Sequence, residues 1–178
     1  MVETVTDIII DAPAERVWQA LADFPAYSEW NPLIRRVGGN LAPNARLSVT
    51  LAGSDGSERT AHPTVVHLRP GREIRWRDRP GVPWLMDTES SFKIEPLGAE
   101  QVRFVHWQAT SGLLALFLGA SSDGRLRERL EAMNEALKRQ AERTPAHLTS
   151  QPSRPEHEPE RSHASAADDR QAAGAASR

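Results

Sequence analysis

One histidine in this chain sits where acid–base chemistry could be done. Along Gln101–Ser111 apolar and polar residues alternate, and a period of two puts Val102, Phe104 and His106 on one face of a strand. A histidine facing the interior can give or take a proton, because its unperturbed pKa is about 6.5. The position also suits a hydrogen-bonded wall residue of a core or cavity, which needs no proton transfer. Thr88 and Ser90 are expected on the same interior face, with Phe92 on the strand that carries them. Asp78 or Glu89 could approach from neighbouring strands, but no carboxylate stands at strand spacing from His106 to orient its ring.

The tryptophans offer a second kind of chemistry, apolar contact with a ligand. Trp30-Asn31-Pro32 closes a short helical segment. Trp30 there could line a cavity mouth or plug the core. Asn31 could donate to a ligand carbonyl or cap the loop. Trp76 shares a face with Ile74 and is core or cavity wall. Trp84 lies in a loop rich in Pro and Gly, where an aromatic is harder to explain by packing and ligand contact is a candidate role. Other chemistries find no footing. His62 and His67 are five apart on a strand and point to opposite faces, and the remaining histidines, outside His106, lie in the C-terminal segment without ligand spacing. With no cysteine there is neither a thiolate metal site nor a cysteine nucleophile. There is no G-x-S-x-G, and Gly53-Ser54-Asp55-Gly56 is followed by no helix that would make it a phosphate loop. The reading is therefore no metal and no cofactor.

These residues need elements to hold them. Val2–Ile10 is β-branched and reads as a strand, ended by Asp11-Ala12-Pro13. A helix follows, with Pro13 in its first turn and Val17, Trp18, Leu21 and Ala22 at helical spacing. Pro25 ends that helix, and a short turn of helix runs over 26–30. Strands are expected over 34–37, 46–51, 58–68, 73–78, 86–95 and 101–111, with Pro63 marking an edge or bulge in the third of these. Leu126, Leu130, Met133 and Leu137 then recur at spacings of 4, 3 and 4, the stripe of an amphipathic helix. That helix is placed from about Leu113 or Ser122 to about Arg143, with the apolar run 113–118 lying against the sheet or over a cavity. Residues 144–178 hold one large aliphatic residue, Leu148, and no aromatic. Such a segment cannot bury enough surface to offset about 1–2 kcal/mol of backbone entropy per residue. The boundaries are thus 1–143 for the folded domain and 144–178 for a disordered tail.

The charge balance narrows the partners. The 178 residues carry 22 Lys and Arg against 24 Asp and Glu, a net of −2. Neither segment is a polycation, so nucleic-acid binding through phosphate neutralisation has no support. The longest apolar run, Leu113–Ala120, is far short of the ~20 residues that span a bilayer. The N-terminus MVETVTDIII has acids where a signal peptide needs Lys or Arg. A soluble, cytoplasmic protein without a transmembrane segment is expected.

Strand, helix pair, six strands and a long helix suit an α+β architecture in which a curved antiparallel sheet wraps one helix. The strings that fill this order are familiar. IIIDAPAERVWQALADFPAYSEWNP at 8–32 resembles the polyketide cyclase/dehydrase and lipid-transport family of the START-like (SRPBCC) superfamily. Pro63-Thr64-Val65, GREIRW at 71–76, SFKIEPLG at 91–98 and RFVHWQATSGLL at 103–114 keep the family's order, and RLEAMNEALKRQAE at 129–142 looks like its C-terminal helix. The resemblance implies a helix-grip fold, a seven-stranded antiparallel sheet bent around the long helix with a hydrophobic cavity between them. It also implies one of two functions: carrying a small hydrophobic molecule, lipid or polyketide-like, or acting on one as a cyclase or dehydratase with His106 as acid or base. The chain departs from the commoner pattern near Ser90, where many relatives carry a histidine, so a histidine pair with His106 is not expected. The interior set of polar residues is sparse, which favours binding over catalysis. The expected ligand contacts are Trp30, Asn31, Trp76, Trp84, Ser90, Phe92, Phe104 and His106.

Overall fold

A computed structural model describes residues 1–53, 55–82, 85–113 and 120–143, with the backbone alone at 120–123. The first strand, β1 (Val2–Ile10), leads into α1 (Ala14–Ala22). The sequence suggests a start that puts Pro13 inside the first turn, and the helix starts later. Pro13 is its N-cap rather than its first helical residue, and its carbonyl receives the N–H of Arg16 at 3.0 Å. A 3-10 turn (Phe24–Ala26) and the short α2 (Tyr27–Trp30) follow, tied back by the Tyr27 hydroxyl, which donates to Leu21 O at 2.7 Å.

The described residues form eight strands: β2 (Ile34–Gly38), β3 (Ser48–Ala52), β4 (Glu58–Ala61), β5 (Thr64–Arg69), β6 (Glu73–Asp78), β7 (Asp87–Pro96), β8 (Val102–Ser111) and β1. The single strand expected over 58–68 is thus divided at His62-Pro63. Proline has no N–H to give to a ladder, and here its carbonyl accepts from Leu47 N at 2.8 Å. The division hands the chain from a three-stranded sheet, β2-β3-β4, to a five-stranded one, β5-β6-β7-β8-β1. The Leu47–Pro63 bond, the bridge between Arg46 and Thr64, and the bond from Val65 N to Ala45 O at 2.9 Å join the two. With β4 and β5 counted as halves of one broken strand, the order is that of a seven-stranded antiparallel sheet.

The last helix, α3 (Ala120–Glu142), packs on β1 and α1. Its stripe behaves as the periodicity requires: Leu130, Met133 and Leu137 are fully buried, together with Ala141. They meet Ile10, Val17, Leu21, Ile94 and Phe104 in one core. The helix also shields the outer edge of β1. Arg127 donates to Val5 O at 2.9 Å and Lys138 to Ile9 O at 2.7 Å, so an open strand edge is occupied by side chains. The expected tail lies outside the described residues, as do Trp84 and residues 114–119. No helix among the described residues is long and apolar enough to cross a membrane.

Candidate functional site

Register across β6, β7, β8 and β1 sorts the inner face into rows. Ile74, Phe92, His106 and Thr6 form one row; Trp76, Ser90, Gln108 and Thr4 form the next; Asp78, Thr88, Thr110 and Val2 form a third. On the other side of the His106 row, Ile94 and Phe104 lie side by side in the core, with Ile8 partly buried against them. Moving four residues along β7, β8 and β1, through the His106 row, therefore passes from packed core to a surface of hydroxyls and an amide.

A cavity of about 280 Å³ opens over these rows. One wall is apolar: Leu33, Ile34, Val49 and Leu51 from the β2–β3 side, Ala61 and Pro63 at the strand break, with Trp76, Phe92, Met86 and Leu126. The other is polar and mostly uncharged: Thr88, Ser90, His106, Gln108 and Thr110. Arg59 and Asp78 are the charged lining residues among those described. Asp78 is engaged at the strand break, where its Oδ1 accepts from His62 N at 3.2 Å.

His106 is 1% exposed and sits at the boundary between core and cavity. Its ring lies 4.6 Å from that of Phe92 and 6.2 Å from that of Phe104, centroid to centroid. Nδ1 is 3.2 Å from Asn134 Oδ1 on α3, and Asn134 Nδ2 donates to Thr6 Oγ1 at 2.9 Å. Burial holds the imidazole pKa down to about 4, outweighing the hydrogen bond to Asn134, which favours the charged form. The ring is therefore neutral at physiological pH. Neither carboxylate considered beside it is its partner. Glu89 lies on the face of the sheet opposite the cavity rows, where it accepts from Arg77 Nε at 2.8 Å.

The sequence-predicted residues divide cleanly. Trp76, Ser90, Phe92 and His106 come together around the cavity. Phe104 is fully buried in the core row below and is not among the lining residues. Trp30 stacks edge-on against Tyr27, with ring centroids 5.0 Å apart, and its Nε1 is buried without a partner among the described residues. Asn31 is buried behind the wall: its Oδ1 accepts from Leu33 N at 2.9 Å and Ile34 N at 2.8 Å. It thereby fixes the backbone of two cavity residues without lining the cavity itself. The placement of Trp84 as a ligand contact falls on a residue outside those described.

Sequence reasoning missed Asn134, the one side chain among the described residues that hydrogen-bonds the His106 imidazole. A signal was present. Asn134 lies four residues after Leu130 and three before Leu137, on the buried stripe, where an amide must find a buried partner. Thr6 was missed because β1 reads as apolar and β-branched, and Leu126 because the stripe gives no hint that its first member borders a void.

A family described as polyketide cyclase/dehydrase and lipid transport matches residues 1–143. No curated protein matches the chain. Among solved structures, the chain resembles a START superfamily protein from Mycobacterium smegmatis at 22% identity and a TM-score of 0.65, over 79% of this chain and 97% of that one. It resembles a protein from Thermus thermophilus at 16% identity and a TM-score of 0.64, over 79% and 97% of the two chains. A third is the Zhui aromatase/cyclase from Streptomyces sp. R1128, at 22% identity and a TM-score of 0.56, over 80% and 94%. At these identities the likeness speaks for the helix-grip fold. The family match runs through every element that builds the cavity, from β1 to the end of α3, and the chain belongs to the polyketide cyclase/dehydrase and lipid-transport family.

Proposed function

We propose that the protein binds a small hydrophobic molecule, of lipid or polyketide-like class, in the cavity between the sheet and the C-terminal helix. The observation that carries this reading is the cavity's own composition. It is about 280 Å³, near the lower end for small-molecule sites, and an apolar wall from β2 and β3 faces a row of neutral polar groups. Apolar surface supplies the driving force, about 25 cal/mol per Å² removed from water, and a few polar groups fix orientation. The loop carrying Trp84 remains a proposed further contact.

A cyclase or dehydratase using His106 as acid or base is the second reading, favoured by the likeness to an aromatase/cyclase. The site's electrostatics weigh against it. A ring whose pKa is about 4 is a weak base, and its partner is an amide that cannot take up charge. Binding without chemistry is the better account.

The test is titration with a naphthalene sulfonate and with a fatty acid. Micromolar affinity, about −8 kcal/mol, is expected, with a change in Trp emission and a rise in melting temperature by mass action. His106→Leu should keep that affinity if the protein is a carrier. If it is an enzyme, turnover of a substrate should fall by roughly 10²–10⁴ while binding persists. Absence of binding by a broad apolar panel at 100 μM, about −5.5 kcal/mol, would overturn the reading.

A further inference from the structure

On the cavity's neutral polar wall, His106 is the group whose hydrogen-bonding sense is fixed, and what fixes it lies outside the cavity. Thr6 and His106 are register partners on β1 and β8, and the Thr6 hydroxyl reaches the His106 carbonyl at 3.5 Å. Its proton points that way, so its oxygen is left to accept the N–H of Asn134 Nδ2 at 2.9 Å. The amide then turns Oδ1 toward the imidazole, 3.2 Å from Nδ1. A carbonyl oxygen only accepts, so Nδ1 must carry the proton of the neutral ring. That leaves Nε2 as a bare lone pair. Nε2 has no hydrogen-bond partner among the described residues. It is also not one of the sealed atoms, which are Trp30 Nε1, Asn31 Nδ2 and Asp87 Oδ1. Its ring lines the cavity.

The other polar groups of that wall do not discriminate. The hydroxyls of Ser90, Thr88 and Thr110 rotate to donate or accept, and the Gln108 amide offers both functions. The charged lining residues keep their own fixed senses, Arg59 donating and Asp78 accepting; among the neutral groups His106 alone is committed. We infer that Asn134 is a positioning residue that locks His106 in the Nδ1–H tautomer, so that the cavity offers an acceptor and selects apolar molecules bearing a hydroxyl or N–H donor over those bearing only acceptors. A ligand ether or ketone oxygen placed against Nε2 sets lone pair against lone pair and leaves both unpaired in a buried site. The inference rests on the binding reading above and narrows it to hydroxylated or N–H-bearing ligands.

The experiment uses the full chain with ¹⁵N-labelled histidine and two matched probes, 1-naphthol and 1-methoxynaphthalene. Histidine ¹⁵N shifts should show Nδ1 protonated and Nε2 bare in the free protein. The phenol should bind about tenfold more tightly than its methyl ether, although burial alone would favour the ether by its extra methyl group. In Asn134→Leu the preference should fall below about twofold, with the ring no longer held in one tautomer. Nε2 protonated in the wild type would overturn the inference whatever the variant does. Equal binding of the two probes by the wild type would also overturn it. If neither probe binds, the ligand-binding reading fails and the selection falls with it, while the ¹⁵N shifts still decide whether Asn134 sets the tautomer.

Discussion

Gly112 lets the strand that carries His106 end against the loop that carries Met86, and a series of glycine substitutions measures what that junction is worth. Gly112 has φ of 104°, and a Cβ built there would lie 2.7 Å from Leu85 O, 2.8 Å from Leu85 C and 3.0 Å from Met86 Cα. All three are backbone atoms, so no rotamer change relieves the contact. Gly71, in the turn between β5 and β6, shares the sign of φ at 73° but meets nothing within 4 Å among the described residues. Gly98 has neither feature. The three alanine variants therefore separate conformational strain from steric collision.

Gly98→Ala should be neutral or stabilising by up to about 1 kcal/mol, because it restricts the unfolded chain. Gly71→Ala adds a left-handed penalty of about 1–2 kcal/mol and should be net destabilising by roughly 1. Gly112→Ala carries a strain of about 1–3 kcal/mol and must also push two backbone segments apart, so a loss above about 3 kcal/mol is expected. For a domain of this size that is on the order of 10 °C in melting temperature, against about 3 °C for Gly71→Ala. Urea denaturation of the three variants beside the wild type is the assay, with the slope checked for two-state behaviour. If Gly112→Ala loses no more than Gly71→Ala, the loop yields freely and the close approach does not hold the cavity rim.

Three further outcomes follow from the same structure. Leu130→Ala, at a fully buried position of α3, should cost on the order of 2–5 kcal/mol in chemical denaturation, and a loss below about 1 would mean that the stripe is not packed against the sheet. The neutral form of His106 is favoured on folding, so its folded pKa of about 4 lies below the ordinary histidine value of 6.5. The unfolded chain then binds the extra proton between those values, and stability should fall as pH drops from about 6.5 to about 4, by about 3 kcal/mol from this group, a loss that His106→Gln should remove from the stability–pH curve. We propose that the folded unit ends near Arg143, so truncation after Thr144 should leave the melting temperature within about 2 °C, and a fall of about 8 °C or more would show that the tail docks.

The parts legible in the sequence are those governed by period. Alternation put Val102, Phe104 and His106 on the inner face, and a spacing of 4, 3 and 4 put Leu130, Met133 and Leu137 in the core. Period names a face; it does not say how far along a strand the core gives way to a cavity. Phe104 and His106 share a phase, yet one lies over Ile94 and Ile8 in packed core and the other borders the void. That boundary depends on where α3 crosses the sheet, which no single strand encodes. The partnership of His106 with Asn134 spans 28 residues and two elements, and the apolar wall comes from the β2–β3 side, joined to the rest only through the break at Pro63. Trp30 and Asn31 were legible as a pair of special residues but not in their roles. Aromatic stacking on Tyr27 and an asparagine turn that holds Leu33 and Ile34 are local packing solutions that spacing does not reveal.

Whether the space beside Ser90 is a binding site or a slack wall can be decided by filling it. Ser90 is 7% exposed, stands between Trp76 and Gln108 in its row, and lines the cavity. In a close-packed wall, replacing it by leucine would force side chains off their rotamers and cost about 1–3 kcal/mol. Over a true void the added methyl groups would bury apolar surface without collision, and cavity filling of this kind commonly stabilises by about 0.5–2 kcal/mol. The two cases differ in sign, so an error of about 1 kcal/mol in either magnitude leaves the test intact. A ligand site makes a second demand: the same substitution that stabilises the free protein must abolish probe binding, because it occupies the volume that the probe needs. Ser90→Leu should therefore raise the melting temperature of the free protein and remove the temperature rise caused by a naphthalene sulfonate. Higher stability with unchanged probe binding would place the probe elsewhere on the molecule. Lower stability would mean that the wall at Ser90 is already packed.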